Sequence, residues 1–291
     1  NARIITQIDP EYPKQLLEIH DPPLALYIRG SIESRDKHAI AVVGTRRPTH
    51  YGREAAATLT SQLARAGFVI TSGLAQGIDM VAHETAIKSG GRTIAVIGSG
   101  FNHIYPPSNA GLADQIAGHG AVLSEFPLDR QPDKTTFPMR NRIVSGLSLG
   151  VLVVEAGRAS GALITANQAL EQGRSVFAVP GRIDSHASAG TNDLIRNGAR
   201  LVADVEDVLR EFEFLIPPGA RQDDAKKEAP APELSDDEMV LTQMLNEGER
   251  DMDSLIRESG LKAGAVSSLL IGLEMKRMVR MLPGRVVEMI R

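Results

Sequence analysis

The sequence predicts an α/β fold, in which a doubly wound parallel sheet is followed by a small C-terminal winged-helix domain. Short runs rich in β-branched residues alternate with helical patterns through residues 1–216, which is typical of repeated βαβ units. The runs are apolar on both faces, as expected for strands covered by helices on each side. A stretch rich in proline and charge then precedes a tail with a different pattern.

Six runs are the predicted strands. In chain order they are AIAVVG, GFVITSG, RTIAVIGSG, GAVLSEF, LGVLVVEAG and SVFAVPG. The clearest helical patterns between them are YGREAAATLTSQLARAG, GIDMVAHETAIKSG and GALITANQALEQG. Because the carboxyl ends of parallel strands meet at one edge of a sheet, we expect ligands to bind in the loops beyond that edge.

Residues 217–238 are predicted to form a flexible linker between a body, 1–216, and a tail, 239–291. The linker holds 7 acids and 3 bases, which accounts for the net charge of −4; its composition cannot bury enough surface to fold. The tail has three helical segments and a possible hairpin around Pro283-Gly284, the pattern of a winged helix. From Lys262 onward it holds 6 bases and 2 acids, and contact with duplex DNA and contact with a protein are equally compatible with it.

The composition excludes several classes of protein. With no cysteine, the chain has no disulfide, no thiolate nucleophile and no cysteine-ligated metal, and we expect neither a metal nor a cofactor. No apolar run reaches the roughly 20 residues of a membrane span, and the start lacks a signal-peptide pattern. We therefore expect a soluble, cytoplasmic protein with no membrane partner. A chain that begins with Asn is also expected to have lost an N-terminal piece.

Three strand-to-helix turns carry residues that suit anions, namely VGTRRPTHYG, TSGLAQGID and EAGRASGALIT. Glycine allows close approach, Ser or Thr can cap the next helix, and backbone N–H groups at a helix start attract phosphate. Any one such loop is explained by ordinary capping, but the adjacent guanidinium groups of the first turn favour a phosphate-binding crevice. The candidate residues are Gly44, Thr45, Arg46, Arg47, Ser72, Gly73, Ser160 and Gly161.

Other motifs carry little weight. The dinucleotide fingerprint G-x-G-x-x-G and the P-loop are absent, so NAD and ATP are not favoured. GLSLG around Ser148 matches G-x-S-x-G, but a helix precedes it and a strand follows it, the reverse of a nucleophile elbow. Asp79 and His83 lie one helical turn apart, and we interpret them as a helix cap and a core histidine rather than as an acid–base pair or a metal site.

The stretch TFPMRNRIVSGLS, residues 136–148, combines a ring with positive charge. Phe137 precedes a proline that suits the first turn of a helix, which would hold the ring at the helix start. Lys134, Arg140 and Arg142 flank it, and Asn141 lies between the two arginines. Such a platform suits unpaired bases and their backbone. A buried Phe beside ordinary basic side chains on the surface explains the same stretch of sequence equally well.

These segments resemble the DNA-processing protein A family (DprA/Smf). The matching stretches are YPKQLLEIHDPPLALYIRG, IAVVGTRRPTHYG, ITSGLAQGIDMVAH, TIAVIGSGFNHIYPPSN, SEFP, FPMRNRIVSGLS, VLVVEAGRASGALITANQALEQGRSVFAVPG and GTNDLIRNGA. The resemblance implies an extended Rossmann-like domain followed by a winged helix. It also implies that Arg46 contacts a DNA backbone, that Lys134 and Phe137 are the family's lysine and base-stacking aromatic, and that Arg140, Asn141 and Arg142 form its RNR motif.

The function that the resemblance implies is binding of single-stranded DNA without catalysis. Such a protein would protect incoming strands and load RecA recombinase in natural transformation, as a homodimer that joins two crevices on one strand. An enzyme is the alternative, a nucleotide-processing protein of the lysine-decarboxylase-like phosphoribohydrolase type. That family needs P-G-G-x-G-T-x-x-E, which the corresponding stretch EAGRASGALITANQ lacks.

Overall fold

The computed structural model describes residues 2–215, 234–246, 248–276, 278–282 and 284–289. The chain divides into two compact units, residues 1–221 and 222–291. Of the predicted linker, 217–233 lies outside the described residues. Its last part is helical instead, because Ser235 and Glu238 cap a helix that begins at Asp236. The Ser235 amide donates to a Glu238 carboxylate oxygen (2.8 Å), and the Glu238 amide donates to the Ser235 hydroxyl (3.3 Å).

The first unit is built on a nine-stranded sheet with the order β1-β2-β6-β5-β4-β3-β7-β8-β9. Strands β3 to β9 are mutually parallel, whereas β2 pairs antiparallel with β6 and β1 pairs antiparallel with β2. The strands are β1 Arg3–Thr6, β2 Ala25–Gly30, β3 Ala39–Val43, β4 Val69–Ser72, β5 Thr93–Val96, β6 Gly120–Ser124, β7 Gly150–Val153, β8 Ser175–Ala178 and β9 Arg200–Leu201.

Helices cover both faces of this sheet, as the apolar strands predicted. They are α1 His50–Arg65, α2 Ile78–Lys88, α3 Ala110–His119, α4 Thr136–Gly146, α5 Gly161–Glu171, α6 Ala189–Arg196 and α7 Glu206–Leu209. Alternate residues of β3 serve the two faces: Ala39, Ala41 and Val43 pack with α4 and α5, whereas Ile40 and Val42 pack with α1 and α2. The predicted doubly wound sheet is therefore confirmed.

The sequence analysis missed β1, β2 and β9, although all six strands that it predicted are present. β9 has only two residues, and in β1 only Ile5 is buried, so neither strand is a continuous buried apolar run. In β2, Leu26 and Ile28 are buried while their neighbours are partly exposed. That alternation marks a strand with one covered face, which differs from the continuous apolar runs that we sought.

The second unit has the three helices and the β-hairpin of a winged helix. Its elements are α8 Asp236–Asn246, β10 Arg250–Asp251, α9 Met252–Ser259, α10 Ala263–Met275, β11 Val279–Leu282 and β12 Val286–Met289. The strands form one sheet in the order β10-β12-β11, and Leu255, Leu270 and Leu273 contribute to the core beneath it.

Three bases of this unit form ion pairs with acids of the same unit, the pairs being Arg250–Glu258, Lys276–Glu238 and Arg280–Glu288. α10 carries no basic residue. Contact of this unit with duplex DNA or with a protein stays a prediction.

His83 of α2 is a core residue, as we interpreted it. Its ring is fully buried, and Nδ1 lies 2.7 Å from the Thr93 hydroxyl, which itself donates to the Ile70 carbonyl oxygen. The hydroxyl therefore accepts the Nδ1 proton. Burial, and secondarily the charge of Arg140, lowers the pKa of His83 to about 3, so the ring is neutral at neutral pH.

Within the part of the chain that the structure describes, no helix has the length and apolar character needed to cross a membrane. Nor do three or more His, Asp or Glu side chains gather there in a way that could hold a metal ion.

The low pKa of His83 predicts a specific loss of stability in acid. The unfolded chain binds a proton at this histidine below its ordinary pKa of about 6.5, whereas the folded chain does so only near pH 3. The free energy of unfolding should therefore fall by about 1.4 kcal/mol per pH unit from this residue between pH 6 and pH 4. Urea unfolding of wild type and His83→Met at several pH values in this range gives the free energy of unfolding as a function of pH. That free energy should fall less steeply with falling pH in the variant, and an equally steep fall would show that His83 is protonated in the fold.

Candidate nucleic-acid interface

A cavity of about 660 Å³ opens at the carboxyl edge of the sheet. From β3 the chain builds the sheet outward through β4, β5 and β6, and then returns to the other side of β3 with β7. Strands β3 and β7 are therefore a topological switch point, where the loops diverge and leave a crevice. The loops after β3, β4 and β7 all line this cavity, as does the start of α4.

The loop after β3 is fastened to the end of β7 through Glu155. This carboxylate is 2% exposed and accepts from the backbone amide and the hydroxyl of Thr49, the N-cap of α1, at 2.8 Å each. The Thr45 amide donates to the Glu155 carbonyl oxygen (2.6 Å). A Cβ at Gly52 would lie 2.4 Å from Glu155 Oε2, so only glycine fits there.

The loop after β4 adopts a strained backbone that polar side chains hold in place. Leu74 has φ = 59°, a left-handed conformation that is uncommon for residues other than glycine. The buried Asp79 carboxylate accepts from the amides of Gly73 (3.1 Å) and Ala75 (3.4 Å), and the Asn109 side chain donates to the Leu74 carbonyl oxygen (3.0 Å). The interpretation of Asp79 as a helix cap is therefore wrong, because the N-cap of α2 is Gly77 and Asp79 lies within the helix, where it binds amides of the preceding loop.

Arg140 lies at the floor of the cavity and is only 5% exposed. Its Nη1 donates to the carbonyl oxygens of Gly73 and Val96, at the ends of β4 and β5. Burial lowers the pKa of Arg140 to about 10, while Asp79 raises it and Arg46 lowers it further. Burial likewise raises the pKa of Asp79, and Arg140 opposes that shift. Arg140 thus remains charged at neutral pH, but its guanidinium is committed to the fold.

Asp133 fixes the start of α4 and so positions two of the predicted site residues, Lys134 and Phe137. Its carboxylate accepts from the Thr135 hydroxyl (2.5 Å) and from the amides of Thr135 (2.7 Å) and Thr136 (3.0 Å), and these hydrogen bonds, that of the hydroxyl foremost, hold the pKa of Asp133 below its usual value. Lys134, next to it, is exposed, and Phe137 lies in the first turn of the helix. The ring therefore sits at the helix start, as the Phe-Pro sequence predicted.

Phe137 is half-buried at the mouth of the cavity, between a cation and a second ring. The Arg46 guanidinium carbon lies 5.4 Å from the centre of the Phe137 ring, within cation–π range. The Tyr105 ring lies on another side, with its centre 5.8 Å away and its plane inclined by 47°. The interpretation of Phe137 as an ordinary core residue is therefore disfavoured.

Exposed side chains supply most of the positive charge at this cavity. Arg46, Arg47 and Lys134 are exposed and line it. Four backbone amides of the first two loops already have protein acceptors: those of Thr45 and Thr49 donate to Glu155, and those of Gly73 and Ala75 donate to Asp79. These four amides are engaged within the fold, and phosphate binding by the other amides of the three loops stays a prediction.

The structure brings most of the predicted residues together. Those that line the cavity are Gly44, Thr45, Arg46, Arg47, Gly73, Lys134, Phe137, Arg140, Asn141, Ser160 and Gly161. Two do not line it. Ser72 is fully buried, and its hydroxyl donates to the Val42 carbonyl oxygen (2.6 Å).

Arg142 is the second residue that does not line the cavity. Its guanidinium instead binds the carboxylates of Glu125 (2.7 Å) and Asp21 (3.0 Å). Two positions along a helix correspond to a rotation of about 200°, so Arg140 and Arg142 necessarily face opposite ways. Because the two arginines are close in sequence, we expected both beside Phe137, and this rotation separates them.

Two residues of the site were given no role by the sequence analysis, namely Tyr105 and Asn109. Both belong to the segment GFNHIYPPSN. The signal was present, because two prolines after an aromatic residue exclude a regular helix or strand there and place the ring in a loop.

Two family models match the chain. One, described as DNA recombination-mediator protein A, matches residues 3–213, and the other, described as the DprA winged helix domain, matches residues 225–285. The chain is 50% identical over 203 residues to DNA processing protein DprA of Bacillus subtilis (69% of this chain, 68% of that protein). It is 40% identical over 295 residues to protein Smf of Escherichia coli (100% of this chain, 78% of that protein).

Two solved structures resemble the first unit. The X-ray structure of DNA processing protein A from Streptococcus pneumoniae matches with 44% identity and a TM-score of 0.69, over 72% of this chain and 74% of that one. DNA processing protein A from Helicobacter pylori, described for its single-stranded DNA binding mode, matches with 32% identity and a TM-score of 0.67, over 74% of this chain and 97% of that one.

The two arginines at the cavity should differ sharply in their contribution to stability. Arg140→Leu should lower the free energy of unfolding by about 3–5 kcal/mol, since it leaves Asp79 buried without its cationic neighbour. Arg46→Leu should change it by less than about 0.5 kcal/mol, because the side chain is exposed. Urea unfolding of both variants measures the difference, and similar losses would contradict the structural role of Arg140.

Proposed function

Because the chain belongs to the DNA recombination-mediator protein A family, we propose that it binds single-stranded DNA in the cavity at the switch point. One observation carries the proposal: a half-buried aromatic ring, Phe137, stands at the mouth of a cavity among the exposed cations Arg46, Arg47 and Lys134. A ring that stacks on a base and cations that neutralise the backbone are the two components of single-strand binding.

An unpaired strand fits this arrangement better than a duplex does. In a duplex the faces of the bases are covered by their neighbours, and only their edges are accessible in the grooves. Stacking on Phe137 requires the face of a base. The charge at the cavity comes from flexible side chains and carries no pattern of donors aimed at base edges. The site therefore suits binding with little dependence on sequence.

The finer role that we propose is that of a recombination mediator. The protein would protect single strands in the cytoplasm and load the RecA recombinase on them during natural transformation, acting as a homodimer whose two cavities hold one strand. This proposal is supported by the family match and by the relatives named as DNA processing proteins. The mediator role is inferred from sequence similarity alone. The proposal that the chain binds a single strand is supported by the geometry of the cavity as well.

We propose further that the cavity binds without catalysis. Glu155, the carboxylate that a phosphoribohydrolase would require in this loop, is buried and both of its oxygens accept hydrogen bonds from Thr49. Asp79 lines the cavity but is buried and accepts from the amides of Gly73 and Ala75, and His83 is fully buried against Thr93. A general base needs access to the substrate, and these three groups serve the fold.

Single-strand binding should separate into contributions from the ring and from charge. Phe137→Ala should weaken oligothymidine binding by about 1–3 kcal/mol with little change in its salt dependence. Arg46→Ala should flatten the slope of log K against log[salt] by about 0.7, the value for one lost phosphate contact. Salt titrations measured by fluorescence anisotropy test both variants. Lys88→Ala is a matched control, because Lys88 lies at the opposite end of α2 from the cavity and its loss should leave the slope unchanged. An unchanged slope for Arg46→Ala would place the binding site elsewhere.

The absence of catalysis predicts that nucleoside monophosphates remain intact. Incubation of the purified chain with each of the common monophosphates, followed by chromatography of the released base, should show no turnover above buffer. Turnover that disappears in Glu155→Gln would support the enzyme alternative, and this outcome is independent of whether the protein also binds DNA.

A further inference from the structure

Tyr105 is an exposed ring that the proposed function leaves without a role. Six of the aromatic side chains are buried, namely Tyr12, Phe68, Phe101, Phe126, Phe177 and Phe212, whereas Tyr51 is 50% exposed and Tyr105 is 46% exposed. One exposed aromatic residue on a surface needs no explanation. Tyr105, however, contacts the proposed stacking residue and lies beside a cluster of cations, and this position does need an explanation.

We propose that Tyr105 binds a second nucleobase of the strand, next to the base that stacks on Phe137. This inference rests on the proposed binding of single-stranded DNA and adds a second base-binding position to it. The ligand is therefore a pair of neighbouring nucleotides, each with its base against a separate ring.

The cavities support two positions. A smaller cleft of about 40 Å³ is lined by Tyr105, Pro106 and Gln76, and it shares Arg46 and Phe137 with the main cavity. Phe137 thus forms part of the wall of both. The smaller cleft cannot contain a base, so the second base would lie across its mouth, against the exposed part of Tyr105. Of the two cations that line both cavities, Arg46 and Arg140, Arg46 is the exposed one and is then placed beside the backbone that connects the two nucleotides.

The fold holds Tyr105 in place without using its polar end. Two prolines follow it, and Asn109 fastens the same segment to the loop after β4. Within the described part of the chain the Tyr105 hydroxyl has no hydrogen-bond partner. The Tyr51 hydroxyl, by contrast, donates to the Pro180 carbonyl oxygen (2.7 Å). A rigid ring with an unused hydroxyl loses little conformational entropy when it binds a ligand.

The inclination of the two rings determines how the bases would lie. The ring planes are inclined by 47°, whereas neighbouring bases of a stacked strand are parallel and separated by about 3.4 Å. Two bases that each lie flat against one of these rings are therefore inclined to each other and unstacked, as is usual where single strands bind on aromatic side chains. Binding would then favour strands that unstack easily, such as oligothymidine, over oligoadenine.

Photo-cross-linking tests this assignment directly. Oligothymidines with a single 5-iodouracil at successive positions would be irradiated in complex with the full chain, and the modified residues identified by mass spectrometry. We expect cross-links to Phe137 and to Tyr105 from the same set of oligonucleotides, and none to Tyr51, which is equally exposed but lies outside both cavities. Cross-links to Phe137 without any to Tyr105 would overturn the inference and leave the proposed function intact. The absence of strand binding by the wild type would overturn both.

Variants of Tyr105 separate base binding from support of Phe137. Tyr105→Leu should weaken oligothymidine binding about 5- to 150-fold, the equivalent of one lost stacking contact, and should leave the yield of the Phe137 cross-link per bound complex unchanged. Tyr105→Phe keeps the ring and should retain most of the affinity. A Tyr105→Leu variant that abolishes the Phe137 cross-link would show that Tyr105 only positions Phe137 and would overturn the inference.

Discussion

The guanidinium of Arg140 joins the elements on which the cavity depends. Its hydrogen bonds to Gly73 and Val96 connect α4 to the ends of two neighbouring strands, and its charge balances the buried Asp79, which in turn holds the loop after β4. A cation in this position costs desolvation and is tolerated only with such partners. The position of α4, and with it that of Phe137 and Lys134, follows from this interaction.

Glu155 has the corresponding role on the other side of the switch point. By accepting two hydrogen bonds from Thr49, it joins the end of β7 to the start of α1 and holds the loop that carries Arg46. Both connections use buried carboxylates whose charge is directed into the fold. The buried part of the site consequently holds two carboxylates and the Arg140 guanidinium in hydrogen bonds within the fold, whereas its rim is basic and exposed. A preformed cavity with mobile cations at its mouth is the result.

Much of the fold was predictable from the sequence because its signals are local. The strands buried on both faces are continuous apolar runs, and two of the helices between them, α1 and α5, begin at the capping residues Thr49 and Ser160. The positions of Arg46, Lys134 and Phe137 followed from their place at helix starts. What could not be predicted depends on distant contacts: the commitment of Arg140 to two carbonyl groups, the pairing of Arg142 with Glu125, and the approach of Tyr105 to Phe137. Each joins segments that the linear pattern treats as separate.

The amides that are already bonded in the first two loops bear on the kind of anion site that we propose. In a nucleotide-binding loop, fixed backbone amides surround a phosphate and impose one geometry on it. Here the amides of Thr45, Thr49, Gly73 and Ala75 are already bonded within the fold, and long side chains with several rotamers provide the attraction instead. Such a surface adapts to the shape of its ligand and discriminates poorly between one phosphate arrangement and another. A polymer whose backbone torsions vary from nucleotide to nucleotide can therefore be held at every register, and can shift along the site without a specific hydrogen-bond pattern being broken.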